Sequence, residues 1–408
     1  MRKNLSKLTA ITMAFALMLT GCSLGAKEKD ESGSEATEQA NVEESLEETS
    51  VTSTENSSAA PNEVPSDRII VVEDLAEPEI DESASSSTEA SVYTDQEEET
   101  YEIDKELEMV FFGDSQFANG RNDGTDIASY VQKRVPNGKS YNLGIGGTSA
   151  ALEYTTVNYQ DYENWTSTCF VGMAYALEGR VNRNQVLASY PEVLEQMNQI
   201  DPAAVDYYFI EYGANDFFNK IQLDKWSSGY ADINPLHTYY GALKAGIDVL
   251  RNISPNATII LITPFYGLYF APDGTYLGDT YITSNGVGTL QDYAKKMNNV
   301  AEEYSLYCLD TMTRSKCDLY MDTASQYLMD NIHLTVTGRQ IFGRIIAHIP
   351  NSMEGYEPTA YRQTEYIKIA EFNPDEYYKY PDEYFANDFP EEYEKYMNGE
   401  YLLAKPEE

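Results

Sequence analysis

Two short stretches far apart in the chain carry residue types that could do covalent chemistry together. Met109-Val110-Phe111-Phe112 reads as a buried strand that stops at Gly113-Asp114-Ser115, leaving Ser115 on a sheet rim. There the serine is either a turn residue or a nucleophile. A hydroxyl attacks poorly at neutral pH unless a base takes its proton, so the second stretch must supply that base. The chain has 3 histidines: His237, His333 and His348. His348 sits among Ile345, Ile346, Ala347 and Ile349, which suits packing or a helix-end charge. His237 follows Pro235-Leu236 in a loop segment and can at most shape a pocket. His333 precedes Leu334-Thr335 just ahead of a helix start, so a loop can aim its ring across the sheet edge. Asp330, within Asp330-Asn331-Ile332-His333, can fix the tautomer and stabilise the imidazolium that forms. The other use of Asp330 is as a turn or cap residue, with a backbone carbonyl orienting the histidine.

Two more stretches end apolar runs: Asn142-Leu143-Gly144-Ile145-Gly146-Gly147 and Gly213-Ala214-Asn215-Asp216. Acyl transfer develops negative charge on the former carbonyl oxygen, and fixed donors stabilise it. Gly147 can bring a backbone N–H close to substrate, or serve only as a turn. Asn215 offers an uncharged donor, or an Asx turn after a strand. Asp216 reads as a loop-stabilising acid.

The elements that must position these residues alternate. After the first strand, a helix around Ile127–Arg134 is closed by Pro136-Asn137-Gly138, and residues 140–145 form a second strand. Residues 154–180 read as an irregular aromatic insertion, and Pro191 opens a helix to Ile200. Strands are expected at 205–210, 258–262 and 306–310, with helices over 238–252, 287–304 and 337–348. Residues 265–285 read as a second aromatic insertion. Five strands separated by helices, without hairpin signals, imply a parallel sheet covered on both faces, with sites at the carboxyl ends of its strands.

The four stretches, in this order, resemble the blocks of the SGNH (GDSL-like) hydrolases over about residues 109–350. The resemblance implies a three-layer α/β/α sandwich with a five-stranded parallel sheet, flavodoxin-like in type. It implies Ser115 as nucleophile, His333 as general base and Asp330 as the residue orienting it. It also implies an oxyanion hole of Ser115, Gly147 and Asn215, with no metal or cofactor. The chain departs from the family at Gln116, where leucine is usual, so Gln116 alters packing or touches substrate. The aromatic insertions have no assigned family equivalent; most of their rings are expected to cap the core.

The formal charge of −39 in 408 residues is concentrated outside 109–350, and no broad basic surface suits nucleic acid. Arg2, Lys3 and Lys7 precede an apolar run ending in Leu19-Thr20-Gly21-Cys22. Residues 1–22 resemble a lipoprotein leader, with Cys22 the lipidated residue that anchors an extracytoplasmic domain to the membrane. Residues 23–108, rich in Glu, Ser and Thr, read as a disordered acidic tether. Residues 351–408 form an acidic, Tyr-rich tail: poorly ordered, packed as short helical turns, or supplying aromatic contacts for sugars. Cys169, Cys308 and Cys317 either include a Cys308–Cys317 disulfide or are buried thiols. The expected activity is removal of short acyl groups, acetyl above all, from a carbohydrate, a cell-wall glycan or a small ester. An O-acetyltransferase using the same site and a non-catalytic glycan-binding module are the alternatives.

Overall fold

The computed structural model describes residues 105–404 apart from 157, 227, 228, 230 and 231. The leader, Cys22 and nearly all of the acidic tether lie outside the described residues. Among the described residues seven strands form: β1 (Leu107–Gly113), β2 (Gly138–Asn142), β3 (Val205–Glu211), β4 (Thr258–Ile262), β5 (Leu268–Phe270), β6 (Tyr276–Asp279) and β7 (Tyr307–Leu309). Five of them make one sheet in the order β2-β1-β3-β4-β7, and every neighbouring pair is parallel.

Period-two alternation sends successive side chains to opposite faces. Val110 and Phe112 of β1, with Tyr208 and Ile210 of β3, enter a core under the helices Phe170–Glu178, Tyr239–Ile253 and Leu290–Tyr304. Met109 and Phe111, with Tyr207 and Phe209, enter the other core, under Ile127–Gln132 and Val336–Met353. Phe111 stacks on Phe209 with ring centroids 4.6 Å apart. Burying one such ring is worth about 1.5–3 kcal/mol. The protein is therefore an α/β sandwich, its five-stranded parallel sheet flanked by helices, with central strands apolar on both faces.

Local chemistry sets the helix ends. Thr289 and Asp292 form a reciprocal capping box on the Leu290–Tyr304 helix, and Ser305 ends it in the left-handed region at φ 52°. Pro191 occupies the first turn of Pro191–Gln199.

Several segments differ from their sequence reading. β1 starts at Leu107, inside the stretch read as tether. β2 lies earlier than expected, although the N–H groups of Leu143 and Ile145 still donate to Phe111 and Gly113. A third of the first insertion is the helix Phe170–Glu178, buried along almost its whole length. It fits because Gly246 opposite has no side chain: a Cβ there would stand 2.3 Å from the Phe170 ring. The second insertion is an antiparallel hairpin of β5 and β6, with Tyr266 and Tyr269 buried. The three cysteines are free thiols, and Cys169 caps its helix by accepting from the Gly172 N–H.

The chain after the Val336–Met353 helix packs as short helices, Thr359–Thr364, Asp382–Asp388 and Pro390–Met397. Tyr361 stacks on Tyr378 at 4.0 Å and lies edge-on to Tyr380. The Tyr377 hydroxyl donates to the Arg134 carbonyl, tying this segment to the Ile127–Gln132 side of the sheet. Among the described residues no helix is long and apolar enough to cross a membrane.

Candidate active site

The carboxyl ends of the strands bring together residues from four distant segments. Ser115 lies two residues past the end of β1 and opens the short Ser115–Ala118 helix, whose N-cap is Asp114. Its Oγ lies 2.8 Å from His333 Nε2. On the far side of the ring, Nδ1 lies 2.7 Å from Asp330 Oδ2. With the proton on Nδ1 donated to Asp330, Nε2 is left to accept from the Ser115 hydroxyl.

Asp330 also shapes the loop. Its Oδ1 accepts from the backbone N–H groups of Ile332 and His333, at 3.2 and 2.8 Å. Asn331 between them takes a left-handed φ of 72°, a conformation asparagine tolerates better than most residues. Asp330 is thus both the turn residue and the carboxylate on the ring, so the two sequence readings coexist.

Electrostatics follow from this geometry. Burial alone would depress the His333 imidazole, but the hydrogen bond and charge of Asp330, helped by Asp114, hold it above the ordinary 6.5. Burial pushes the Asp330 carboxyl upward, yet its bonds from His333 keep it below the usual carboxylate value.

Gly146 and Gly147 pass beside the hydroxyl: a Cβ on Gly146 would stand 3.7 Å from Ser115 Cβ. Gly147 has φ 81° and open space where a side chain would be, so its backbone is accessible to a bound ester. This loop is held from both ends. The Asn142 side chain donates to the Phe117 carbonyl and to Asp126, and accepts from the Gly144 N–H. Downstream, Asp216 accepts from the N–H groups of Ala150 and Ala151 at 2.8 and 3.1 Å. Burial pushes this acid up to about 7, against those backbone bonds. Asp216 is the loop-stabilising acid expected from the sequence.

Asn215 lies in the helix Ala214–Phe218 just past β3, and its Nδ2 donates to Asp114 Oδ2 at 3.0 Å. An amide NH2 carries two hydrogens, so one remains for an oxyanion. Ser115, Gly147, Asn215, Asp330 and His333 therefore occupy one sheet edge. His237 is elsewhere: its Nδ1 lies 2.9 Å from the Leu152 carbonyl, and its ring stacks on exposed Tyr154. His348 is buried between Glu357 and Glu365 and is not at a helix-end carbonyl.

Two contributors escaped the sequence reading. Gln116, singled out only as a departure, is buried and grips the histidine loop from both sides. Its Nε2 donates to the Ile332 carbonyl at 2.9 Å, and its Oε1 accepts from the Leu334 N–H at 3.3 Å. Glu211, the last residue of β3, is wholly buried behind Asp114. The available signal was an acid closing the otherwise apolar run Tyr207-Tyr208-Phe209-Ile210. Among the described residues no group of His, Cys, Asp and Glu is placed to hold a metal ion.

Residues 109–346 match the family model described as GDSL-like Lipase/Acylhydrolase. No curated protein matches the chain. Among solved structures, a possible lipase from Chitinophaga pinensis is 16% identical, covering 61% of this chain and 99% of its own, with a TM-score of 0.40. A carbohydrate acetylesterase from Sinorhizobium meliloti is 13% identical, covering 60% and 99%, with a TM-score of 0.35. A variant of an acetyl-xylooligosaccharide esterase from Geobacillus Stearmophilus is 18% identical, covering 58% and 91%, with a TM-score of 0.34. With the family model spanning more than half of the chain and all of its sheet edge, this protein belongs to the GDSL-like lipase/acylhydrolase family and is an ester-hydrolysing enzyme.

Proposed function

We propose that the protein is an extracytoplasmic serine esterase that removes short acyl groups, acetyl above all, from a carbohydrate or cell-wall glycan. The observation that carries the mechanism is the unbroken series Ser115 Oγ, His333, Asp330, with spacings of 2.8 and 2.7 Å. Ser115 Oγ attacks the acyl carbon while its proton passes to His333 Nε2. The carbonyl oxygen becomes an oxyanion facing the N–H groups of Ser115 and Gly147 and the free Asn215 amide hydrogen. Collapse breaks the ester C–O bond, and the leaving alkoxide takes the proton from His333. Water then attacks the acyl-serine by the same proton relay, releasing the carboxylic acid and restoring Ser115.

Support for a sugar alcohol comes from the segments that carry the donors. Phe218, in the same short helix as Asn215, is 43% exposed. An exposed aromatic face beside a polar, Gly-lined edge suits a pyranose ring better than a long acyl chain. The leader ending in Cys22 supports a lipid anchor at a membrane face.

Ser115→Ala should abolish turnover of acetylated glycans and simple acetyl esters while leaving the circular dichroism melt unchanged. Faster cleavage of a long-chain ester than of its acetyl counterpart overturns the short-acyl assignment. Transfer of the acetyl group to an added sugar, seen by mass spectrometry, makes the enzyme a transferase instead. Loss of lipid labelling in Cys22→Ala, with retention in wild type, tests the anchor.

A further inference from the structure

Asn215 is held by Asp114, and Asp114 is backed in turn by a second acid. In the sheet, Gly113 of β1 lies opposite Glu211 of β3, which sets the next residue, Asp114, against Glu211. Both are 0% exposed. Asp114 is well supplied with donors: the Gln116 N–H reaches Oδ1 at 2.9 Å, and Asn215 Nδ2 reaches Oδ2 at 3.0 Å. The Glu211 carboxylate meets Asp114, and no other described residue donates a hydrogen bond to either of its oxygens.

Two touching carboxylates cannot both ionise in a site closed to water. One proton between them satisfies both, because a protonated carboxyl can donate to an ionised one. The other groups facing Glu211 do not supply a positive charge. They are Asp216, occupied by its two backbone donors, and the buried phenols Tyr212 and Tyr239. The Tyr239 hydroxyl is spent on the Tyr212 carbonyl at 2.8 Å.

We propose that Glu211 is a positioning residue that keeps its proton and donates it to Asp114, fixing the carboxylate that aims Asn215 at the oxyanion. This rests on the Ser115 acyl-transfer reading. Burial, with the charge of Asp114 added, pushes Glu211 well above the ordinary 4.5, whereas the donors on Asp114 partly offset its burial. The proton therefore resides on Glu211. Ionising Glu211 at alkaline pH would set a second buried negative charge behind Asn215, opposing the oxyanion in front of it. The rate should fall there.

The test has two parts. Infrared difference spectra of wild type minus Glu211→Gln at neutral pH should show a carboxylic-acid C=O stretch belonging to wild type. In kinetics, Glu211→Leu should lower kcat about 10- to 100-fold, the lower range for a weakened oxyanion donor, with KM within about twofold. Glu211→Gln should restore most of that loss, because its amide can donate to Asp114 as the acid does, and should lack the alkaline fall. Absence of the acid band, or a glutamine variant as impaired as the leucine one, overturns the proposal. The infrared readout needs no turnover. Failure of the esterase reading, shown by an active Ser115→Ala, is thus distinguishable from failure of this one.

Discussion

His333 and His348 are both bracketed by polar partners, yet the partners differ in kind. His333 has Asp330 on Nδ1 and the Ser115 hydroxyl on Nε2. His348 has Glu357 on Nδ1 at 2.5 Å and Glu365 on Nε2 at 2.8 Å. A carboxylate on each nitrogen holds the ring as an imidazolium, a double donor with one positive charge, pushed up to about 9 against its burial. Such a ring has no lone pair to offer and cannot be a base at neutral pH. Its surroundings confirm a mechanical role. Arg344, also buried, binds Glu365, and the Lys379 N–H donates to the same carboxylate. Burial would raise Glu365, but His348 and then Arg344 hold it down at about 2. This cluster fastens the described residues that follow the Val336–Met353 helix to the sandwich. What separates a catalytic histidine from a structural one here is a single partner: a hydroxyl against a second carboxylate.

The comparison breaks if the two rings can exchange consequences. His333→Ala should lower kcat/KM by about 10⁴-fold or more with little change in melting temperature. His348→Ala should do the reverse, costing about 3–5 kcal/mol of stability, the range for breaking a buried ion pair, while the folded fraction keeps its kcat. Denaturant melts and active-site titration separate the two quantities. A stable, inactive His348→Ala would sink the assignment.

The two rings also respond to pH with opposite signs. His348 is charged in the folded state up to about 9 against 6.5 unfolded, so its stabilisation is complete below 6.5 and lost as pH rises through about 9. His333 acts as a base only when neutral, so activity should rise as pH climbs through its value above 6.5. Initial rates and melting temperatures measured across that window should move in opposite directions. Parallel changes would mean that one group controls both.

Asp330→Ala sharpens the contrast within the catalytic pair. Without that carboxylate, burial is opposed only by the charge of Asp114, so the acid limb of kcat/KM should move to lower pH even as the rate drops about 100-fold or more. An unmoved limb would assign the orientation of His333 to another group. Smallest is Gln116→Leu, which restores the residue usual in the family but removes both bonds to the histidine loop. It should cost about tenfold or less in kcat, two neutral hydrogen bonds at most, with KM unchanged. A rise in KM alone would place Gln116 against substrate instead.

The layout of the sheet was readable because its signals are local. Apolar runs such as Thr258–Ile262 and helical spacing such as Leu243, Ile247 and Leu250 need only neighbours in sequence. The site motifs were readable for the same reason, three lying where an apolar strand stops and the fourth just ahead of the Val336–Met353 helix. The helix Phe170–Glu178 was not, because a segment buried all round has no amphipathic period to detect. The β5–β6 hairpin was hidden by its aromatic content, and its Leu268 N–H is spent on the Asn331 carbonyl beside His333, a contact no sequence window contains.

By itself, then, the sequence determined the alternating strands and helices, the residue types at each strand end, and the narrow choice of base among three histidines. Only the tertiary structure decided which groups became partners: Gln116 with the histidine loop 216 residues away, Glu211 with Asp114, and His348 with two glutamates. Periodicity is a property of neighbouring residues, whereas a proton's position depends on burial and on every charge within a few ångströms, and these are set only when distant segments close on one another.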